Sequence, residues 1–310
     1  MAAHEHVPVL LAESMQALAI STQGYYLDGT FGRGGHARAL LAQLGPAGRL
    51  LAVDRDPEAL AAGHALAASD PRFEIAQARY SQLPELARAR GWMGRINGIL
   101  LDLGVSSPQL DQAARGFSFH ADAPLDMRMD PSSGERAADW LARASEQAIA
   151  SVLKELGEER FARRIAGAIV AARQQQPIAT TAQLAALIER AVPTREPGKH
   201  PATRSFQAIR IQINAELDEL RAGLAGVCEL LASGGRLAVI SFHSLEDRLV
   251  KRFIRDEAQG ARIPKGVPVR DAELCRRLRS LGAPIRPSAA EIARNPRARS
   301  AVLRVAERLS

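Results

Sequence analysis

The sequence predicts an α/β fold: a largely parallel sheet with helices on both faces, interrupted by an all-helical insertion. Three observations predict it. Four short apolar segments within the first 103 residues alternate with helical stretches, the rhythm of βαβ units that build a parallel sheet covered on both sides. The first segment breaks into a glycine turn, Gly29-Thr30-Phe31-Gly32-Arg33-Gly34-Gly35, which opens a helix. From about Gln112 to Ala202 there is no convincing strand, and the α/β rhythm returns only at Thr203. Residues 1–111 and 203–310 therefore form one discontinuous core, and 112–202 an inserted helical domain.

Taken in order, 10–18 reads as a helix covering one edge of the sheet. Strands are expected at 25–31, 49–54, 72–78 and 96–103, with helices at 35–44, 57–68 and 82–90 between them. The insertion begins with an irregular stretch, 116–134, followed by amphipathic helices at 137–143, 146–156, 158–175 and 181–191. Residues 193–201, with two prolines and a glycine, read as a linker. A long helix or helix pair then runs from 203 to 231, Gly234-Gly235 stops it, and a strand at 236–242 leads into a helix at 245–256. Residues 261–299 are rich in Arg, Pro and Gly and read as a loop-dominated excursion, and 300–307 as a closing strand.

A chain of 310 residues, 46% hydrophobic and 24% charged, buries a sizeable core. Its two cysteines supply neither a disulfide framework nor a metal cluster. No apolar run reaches the roughly 20 residues that span a bilayer, and residues 1–18 lack the basic and apolar regions of a secretory leader; a cytoplasmic protein without membrane contact is expected. Between Ser244 and Ser310 there are 16 Lys and Arg against 8 Asp and Glu, so the net charge of +7 is concentrated there. Such a segment suits a polyanion such as RNA, or it is a solvated basic face.

The glycine turn lets the backbone adopt positive φ and lets a ligand approach the main chain, while the following helix offers free N–H groups. An ordinary tight βα turn has the same pattern. Asp54 ends the second strand about 20 residues further on, the spacing at which doubly wound sheets set a carboxylate against a ribose. Read as Gly32-x-Gly34-x-x-Ala37, the turn also fits a dinucleotide fingerprint, so a nicotinamide enzyme is a rival. The fourth strand ends Asp102-Leu103-Gly104-Val105-Ser106-Ser107-Pro108-Gln109, which brings a carboxylate, two hydroxyls and an amide to the ligand-binding edge of such sheets. Ser106 or Ser107 also suits a helix cap ahead of Pro108.

Eight ordered blocks make a specific resemblance: Asp28 to His36, Asp54 to Pro57, Leu101 to Gln109, Arg115 to Phe119, Pro124 to Asp130, His200 to Arg204, Ser241 to Arg248 and Asn295 to Ser300. They resemble the bacterial small-subunit (16S) ribosomal RNA cytosine-N4 methyltransferases, which use S-adenosylmethionine. The resemblance implies a class I (Rossmann-like) methyltransferase core with an inserted all-helical domain for substrate recognition. It implies that Gly34, Gly35, His36, Asp54, Tyr80, Asp102 and Gln109 line the S-adenosylmethionine pocket. It also implies that the partner is 16S rRNA, in the small ribosomal subunit or its assembly intermediate.

Methylating an exocyclic amine is a direct displacement that requires no metal. Acceptors must orient the N–H groups of an amine whose lone pair is delocalised into the ring. Asp102 is the candidate catalytic acceptor, or it only binds cofactor. The Asn/Asp-Pro-Pro-Tyr signature of amino methyltransferases is absent, with Asp102-Leu103-Gly104-Val105 in its place, and Thr30 stands where class I turns more often have glycine. Phe117 and Phe119 offer a stacking platform for an unstacked base, or packing between the two domains. His243 is a candidate base or a positioning residue. Lys199, His200, Arg204, Arg297 and Arg299 are candidate phosphate contacts. Two other functions remain in contention, an NAD-dependent oxidoreductase and a non-catalytic RNA-binding assembly factor.

Overall fold

The computed structural model describes residues 8–194, 198, 200–261 and 274–310. Lys199, part of the 193–201 linker and part of the 261–299 excursion lie outside the described residues. The chain divides into two compact units, Met1–Gly104 with Leu217–Ser310, and Val105–Glu216.

In the first unit, α1 (Leu11–Leu18) is followed by β1 (Tyr25–Asp28), α2 (Gly35–Leu41), β2 (Arg49–Asp54), α3 (Pro57–Ser69), β3 (Phe73–Gln77), α4 (Leu83–Ala89) and β4 (Ile96–Asp102). The sheet order is β3-β2-β1-β4-β5-β7-β6, where β5 is Leu231–Ser241, β6 Leu278–Ser280 and β7 Val302–Arg308. The first five strands run parallel, and β7 pairs antiparallel with β5 and β6. This is the class I methyltransferase arrangement, with the chain reversing its direction of winding between β1 and β4. Such a switch point opens a crevice at the carboxyl ends of the strands.

Successive strand residues enter opposite cores, as a period of two requires. Leu27, Leu51, Val53, Ile99, Leu101, Leu237 and Val239 pack in one cluster. Tyr26, Leu50, Ala52, Leu100, Ala238 and Ile240 pack in the other. Both faces are covered, which is why these strands read as continuous apolar runs.

Several details differ from the sequence reading: 203–231 holds three helices rather than one or two, and a helix at Ala289–Arg294 lies inside the 261–299 excursion. β5 starts five residues before the expected 236 and runs through Gly234-Gly235, which do not stop it. Ile96 pairs with Leu231 but Gly98 with Arg236, so the chain bulges between them. A Cβ on Gly235 would lie 2.6 Å from the Ile96 carbonyl oxygen, so only glycine fits that approach. β6 interrupts the segment read as loop: buried Leu278 is its one apolar residue, too little to register as a pattern.

The second unit is helical: α5 (Ser107–Asp111), α6 (Ala137–Arg143), α7 (Glu146–Gly157), α8 (Ala162–Arg173), α9 (Thr181–Ala191) and α10 (Thr203–Asn214). It has its own core, including Leu125, Met127, Trp140, Leu153, Ile165, Ile188, Phe206 and Ile209. Its limits, Val105 and Glu216, lie outside the 112–202 read from strand content. Among them α10 belongs here because Phe206 and Ile209 pack in this core, and Gly157 lets α7 end against the Arg204 carbonyl. Three further helices, α11 (Glu216–Ala225), α12 (Val227–Leu230) and α13 (Ser244–Gln259), flank β5, and α14 (Ala289–Arg294) precedes β7. No helix among the described residues is long and apolar enough to cross a membrane.

Candidate active site

Strand register gathers three carboxylates on one face of the sheet edge. Asp28 pairs with Ala52 on β2 and with Leu100 on β4. Asp54 and Asp102 each lie two residues beyond those partners, so alternation sets all three on the face of α2. Asp28 was the carboxylate to which the sequence reading gave no role, although its position at a strand end is the signal that singled out Asp102.

Asp28 is buried; its Oδ1 accepts the Thr30 N–H at 3.0 Å, and its Oδ2 is buried with no hydrogen-bond partner. Burial, with Asp54 adding repulsion, pushes its carboxyl up to about 7 despite the Thr30 N–H. Asp54 accepts the backbone N–H groups of Gly32 (2.8 Å), Arg55 (2.7 Å) and Asp56 (2.9 Å). Burial raises it, and those bonds oppose the rise. Asp102 keeps 26% of its side-chain surface exposed, yet its Oδ1 is buried without a partner, so the opening lies on the Oδ2 side. Burial first, then the charges of Asp28 and Glu246, pushes Asp102 up to about 8. The charges that raise these two groups are all carboxylates.

The glycine turn is built around these groups. Gly29 donates to the Leu100 carbonyl and Phe31 to Val53, tying the turn to β4 and β2. Gly32 and Gly34 have positive φ, 55° and 72°. A Cβ on Gly34 would fall 2.5 Å from the Phe31 ring, and one on Gly35 would fall 2.2 Å from Pro8. Thr30, where class I turns more often have glycine, has a function here that glycine lacks: its Oγ1 accepts the Asp102 N–H at 2.6 Å. His36 follows in α2, with Nε2 3.2 Å from the Val9 carbonyl and Nδ1 3.7 Å from Asp102 Oδ2.

Tyr80 opens a short 3-10 turn after β3, with its ring against Gly223 of α11. The turn is fixed by the Ser81 N–H donating to Glu219 at 3.0 Å. His243 caps α13, and Glu246 Oε2 accepts the Phe242 N–H at 2.9 Å. Glu246 Oε1 lies 3.1 Å from His243 Nε2. His243 Nδ1 accepts the Glu246 N–H at 3.5 Å, whereas Nε2 is buried and makes no hydrogen bond.

Gln109 belongs to the second unit, where it is buried and its Oε1 accepts the Ser106 N–H at 2.9 Å. Phe117 is buried in that unit's core. Phe119 packs on His200 (4.6 Å between ring centres) and edge-on to Phe206 (4.8 Å). Both rings are therefore engaged in packing within that unit. Arg297 and Arg299 are exposed on the 3-10 turn before β7.

The model describing the MraW methylase family matches residues 3–309. The chain is 60% identical over 307 residues to the ribosomal RNA small subunit methyltransferase H of Chromohalobacter salexigens, covering 99% of this chain and 92% of the relative. It is 61% identical over 306 residues to the protein of the same name from Thiobacillus denitrificans, covering 98% and 97%. With that from Azoarcus sp. the identity is 60% over 305 residues, covering 98% and 97%.

Proposed function

The chain belongs to the MraW methylase family, and from that premise we propose that it transfers a methyl group from S-adenosylmethionine to the exocyclic N4 amine of a cytidine in small-subunit ribosomal RNA. The observation that carries this reading is the carboxylate trio Asp28, Asp54 and Asp102 at the switch point, with two buried oxygens lacking partners. A sulfonium and an ammonium are what such oxygens favour; a dinucleotide pyrophosphate would be repelled. The donor set therefore fits S-adenosylmethionine and disfavours a nicotinamide cofactor.

When bound, S-adenosylmethionine supplies a methyl group already activated on a sulfonium. Gly34 and Gly35 would give backbone access, Asp54 would accept from the ribose hydroxyls, and Tyr80 would pack on the adenine. His36 and Asp102 would complete the pocket within the first unit. Asp102 accepts an N–H of the target amine through Oδ2, its accessible oxygen, orienting the nitrogen lone pair away from the ring. The same oxygen then takes the proton that the methylated nitrogen releases.

The target edge is inaccessible in a base stack, so the cytidine is splayed out. The helical insertion recognises the RNA around it. Arg160, Arg163 and Arg164 are exposed at the start of α8, and Arg297 and Arg299 are exposed near the C-terminus; all suit phosphate contact. A ribosomal substrate, in the subunit or its assembly intermediate, implies the cytoplasm. The test is single-turnover transfer to small ribosomal subunits by wild type and Asp102→Ala. The variant is expected to be at least about 100-fold slower, the scale for losing a positioned polar group; near-normal turnover at saturating cofactor overturns the role of Asp102.

A further inference from the structure

The helical unit carries a cluster of rings at its surface. Phe119 is half-buried and packs edge-on to buried Phe206, with 4.8 Å between ring centres. Two exposed histidine rings also lie against it: His200 at 4.6 Å, tilted by 32°, and His120 at 5.4 Å, tilted by 39°. All four rings belong to the second unit.

This ledge is held in place by the fold. His200 Nδ1 accepts the Ala202 N–H at 3.1 Å, and the His200 carbonyl accepts the Thr203 N–H at 3.0 Å, where α10 begins. An imidazolium has no lone pair with which to accept, so the ring that makes this bond is neutral and its hydrogen is on Nε2. His120 is fixed through its backbone, whose N–H donates to Ser118 Oγ at 3.3 Å. Its imidazole enters no hydrogen bond or ion pair among the described residues, so the fold has no other use for that ring.

We propose that His120 and His200, supported by Phe119, form a stacking ledge for unpaired bases of the substrate RNA. This rests on the cytidine-N4 reading above. Single-stranded RNA is held by stacking its bases on aromatic and imidazole faces, and any base suits because each has a π face. The nitrogens of an imidazole lie in the ring plane, so a base covering the face leaves them in water. An apolar protein surface packed over the same ledge would bury the His200 Nε2–H and the His120 nitrogens without partners, which is costly. A phosphate favours a cation, and the neutral His200 ring is not one. The stacking role expected of Phe117 and Phe119 thus passes to the exposed rings that Phe119 carries, and His200 changes from a phosphate contact to a base contact.

The experiment measures the affinity of the full chain for small ribosomal subunits from cells lacking the protein, at a series of salt concentrations, for wild type, His120→Ala, His120→Phe, His200→Ala and His200→Phe. Each alanine variant is expected to bind at least about fivefold more weakly, the loss for one stacked base. Each phenylalanine variant keeps the face without the nitrogens and is expected to bind within about twofold of the wild type. His200→Ala and His200→Phe both lose the Ala202 bond, so the difference between them reads the ring face and not the start of α10. The slope of affinity against salt is expected to be that of the wild type in all four, since no cation is removed. Wild-type affinity in either alanine variant overturns the proposal. So does a phenylalanine variant as weak as its alanine counterpart, or a shallower salt slope in an alanine variant, which would mark a phosphate contact. Binding by the wild type without methyl transfer would instead overturn the cytidine-N4 reading, and the same four variants would still decide the ledge.

Discussion

The Thr30 hydroxyl accepts the backbone N–H of Asp102 at 2.6 Å, joining the turn after β1 to the last residue of β4. A residue that looks like a departure from the glycine-rich turn is thus the one that orients the end of the strand bearing the candidate acceptor. Thr30→Val keeps the shape and leaves that N–H without a partner. It is expected to lower stability by about 1–3 kcal/mol in denaturant unfolding. Thr30→Ser, which keeps the hydroxyl, is expected to lose less. Equal losses in the two variants would show that the bond contributes nothing.

Gly32 and Gly34 both have positive φ, but only Gly34 is crowded. Nothing lies within 4 Å of a Cβ on Gly32, while one on Gly34 meets the Phe31 ring at 2.5 Å. Gly32→Ala is expected to cost about 1–2 kcal/mol from left-handed backbone alone. Gly34→Ala adds about 1–3 kcal/mol of overpacking and displaces Phe31. Thermal melting of both variants checks the order, and calorimetry should find S-adenosylhomocysteine binding weakened more in Gly34→Ala.

Asp28 gives a pH dependence of definite sign. Its carboxyl is pushed up to about 7 in the fold by burial and the Asp54 charge, against about 4 in an unfolded chain. The folded state therefore holds a proton that the unfolded chain releases. That contribution is fully present below about pH 4 and is lost as pH rises through about 7. Asp28→Asn removes the titration, so its stability relative to wild type should rise across this window. The slope is at most about 1.4 kcal/mol per pH unit, read from urea unfolding at a series of pH values. A difference that is flat with pH would contradict the buried, proton-holding carboxyl.

The legible parts of the site were local ones. The glycine turn and Asp54 share one βα unit, and Asp54 is pinned by N–H groups from its own neighbours and from Gly32. The Thr30–Asp102 bond spans 72 residues, and the Val9–His36 contact depends on how the segment before α1 folds back. Neither leaves a trace in periodicity or spacing. Asp28 was within reach, since the rule that marked Asp102 at a strand end applies equally to it; its register between Asp54 and Asp102 was not. In the fold, the regular strands and helices matched closely because their apolar pattern is strong. β6, α14 and the early start of β5 escape the sequence reading: β6 for lack of apolar residues, α14 because it buries none of its residues, and β5 because Gly234-Gly235 mark a bulge as readily as a stop.

The most direct measurement supplies labelled S-adenosylmethionine and the purified chain to small ribosomal subunits from cells lacking the protein, then digests the RNA and identifies the labelled nucleoside. Label in N4-methylcytidine at a single position of the small-subunit RNA is the predicted result. Label on another atom or base, or no incorporation while the RNA still binds, would contradict it.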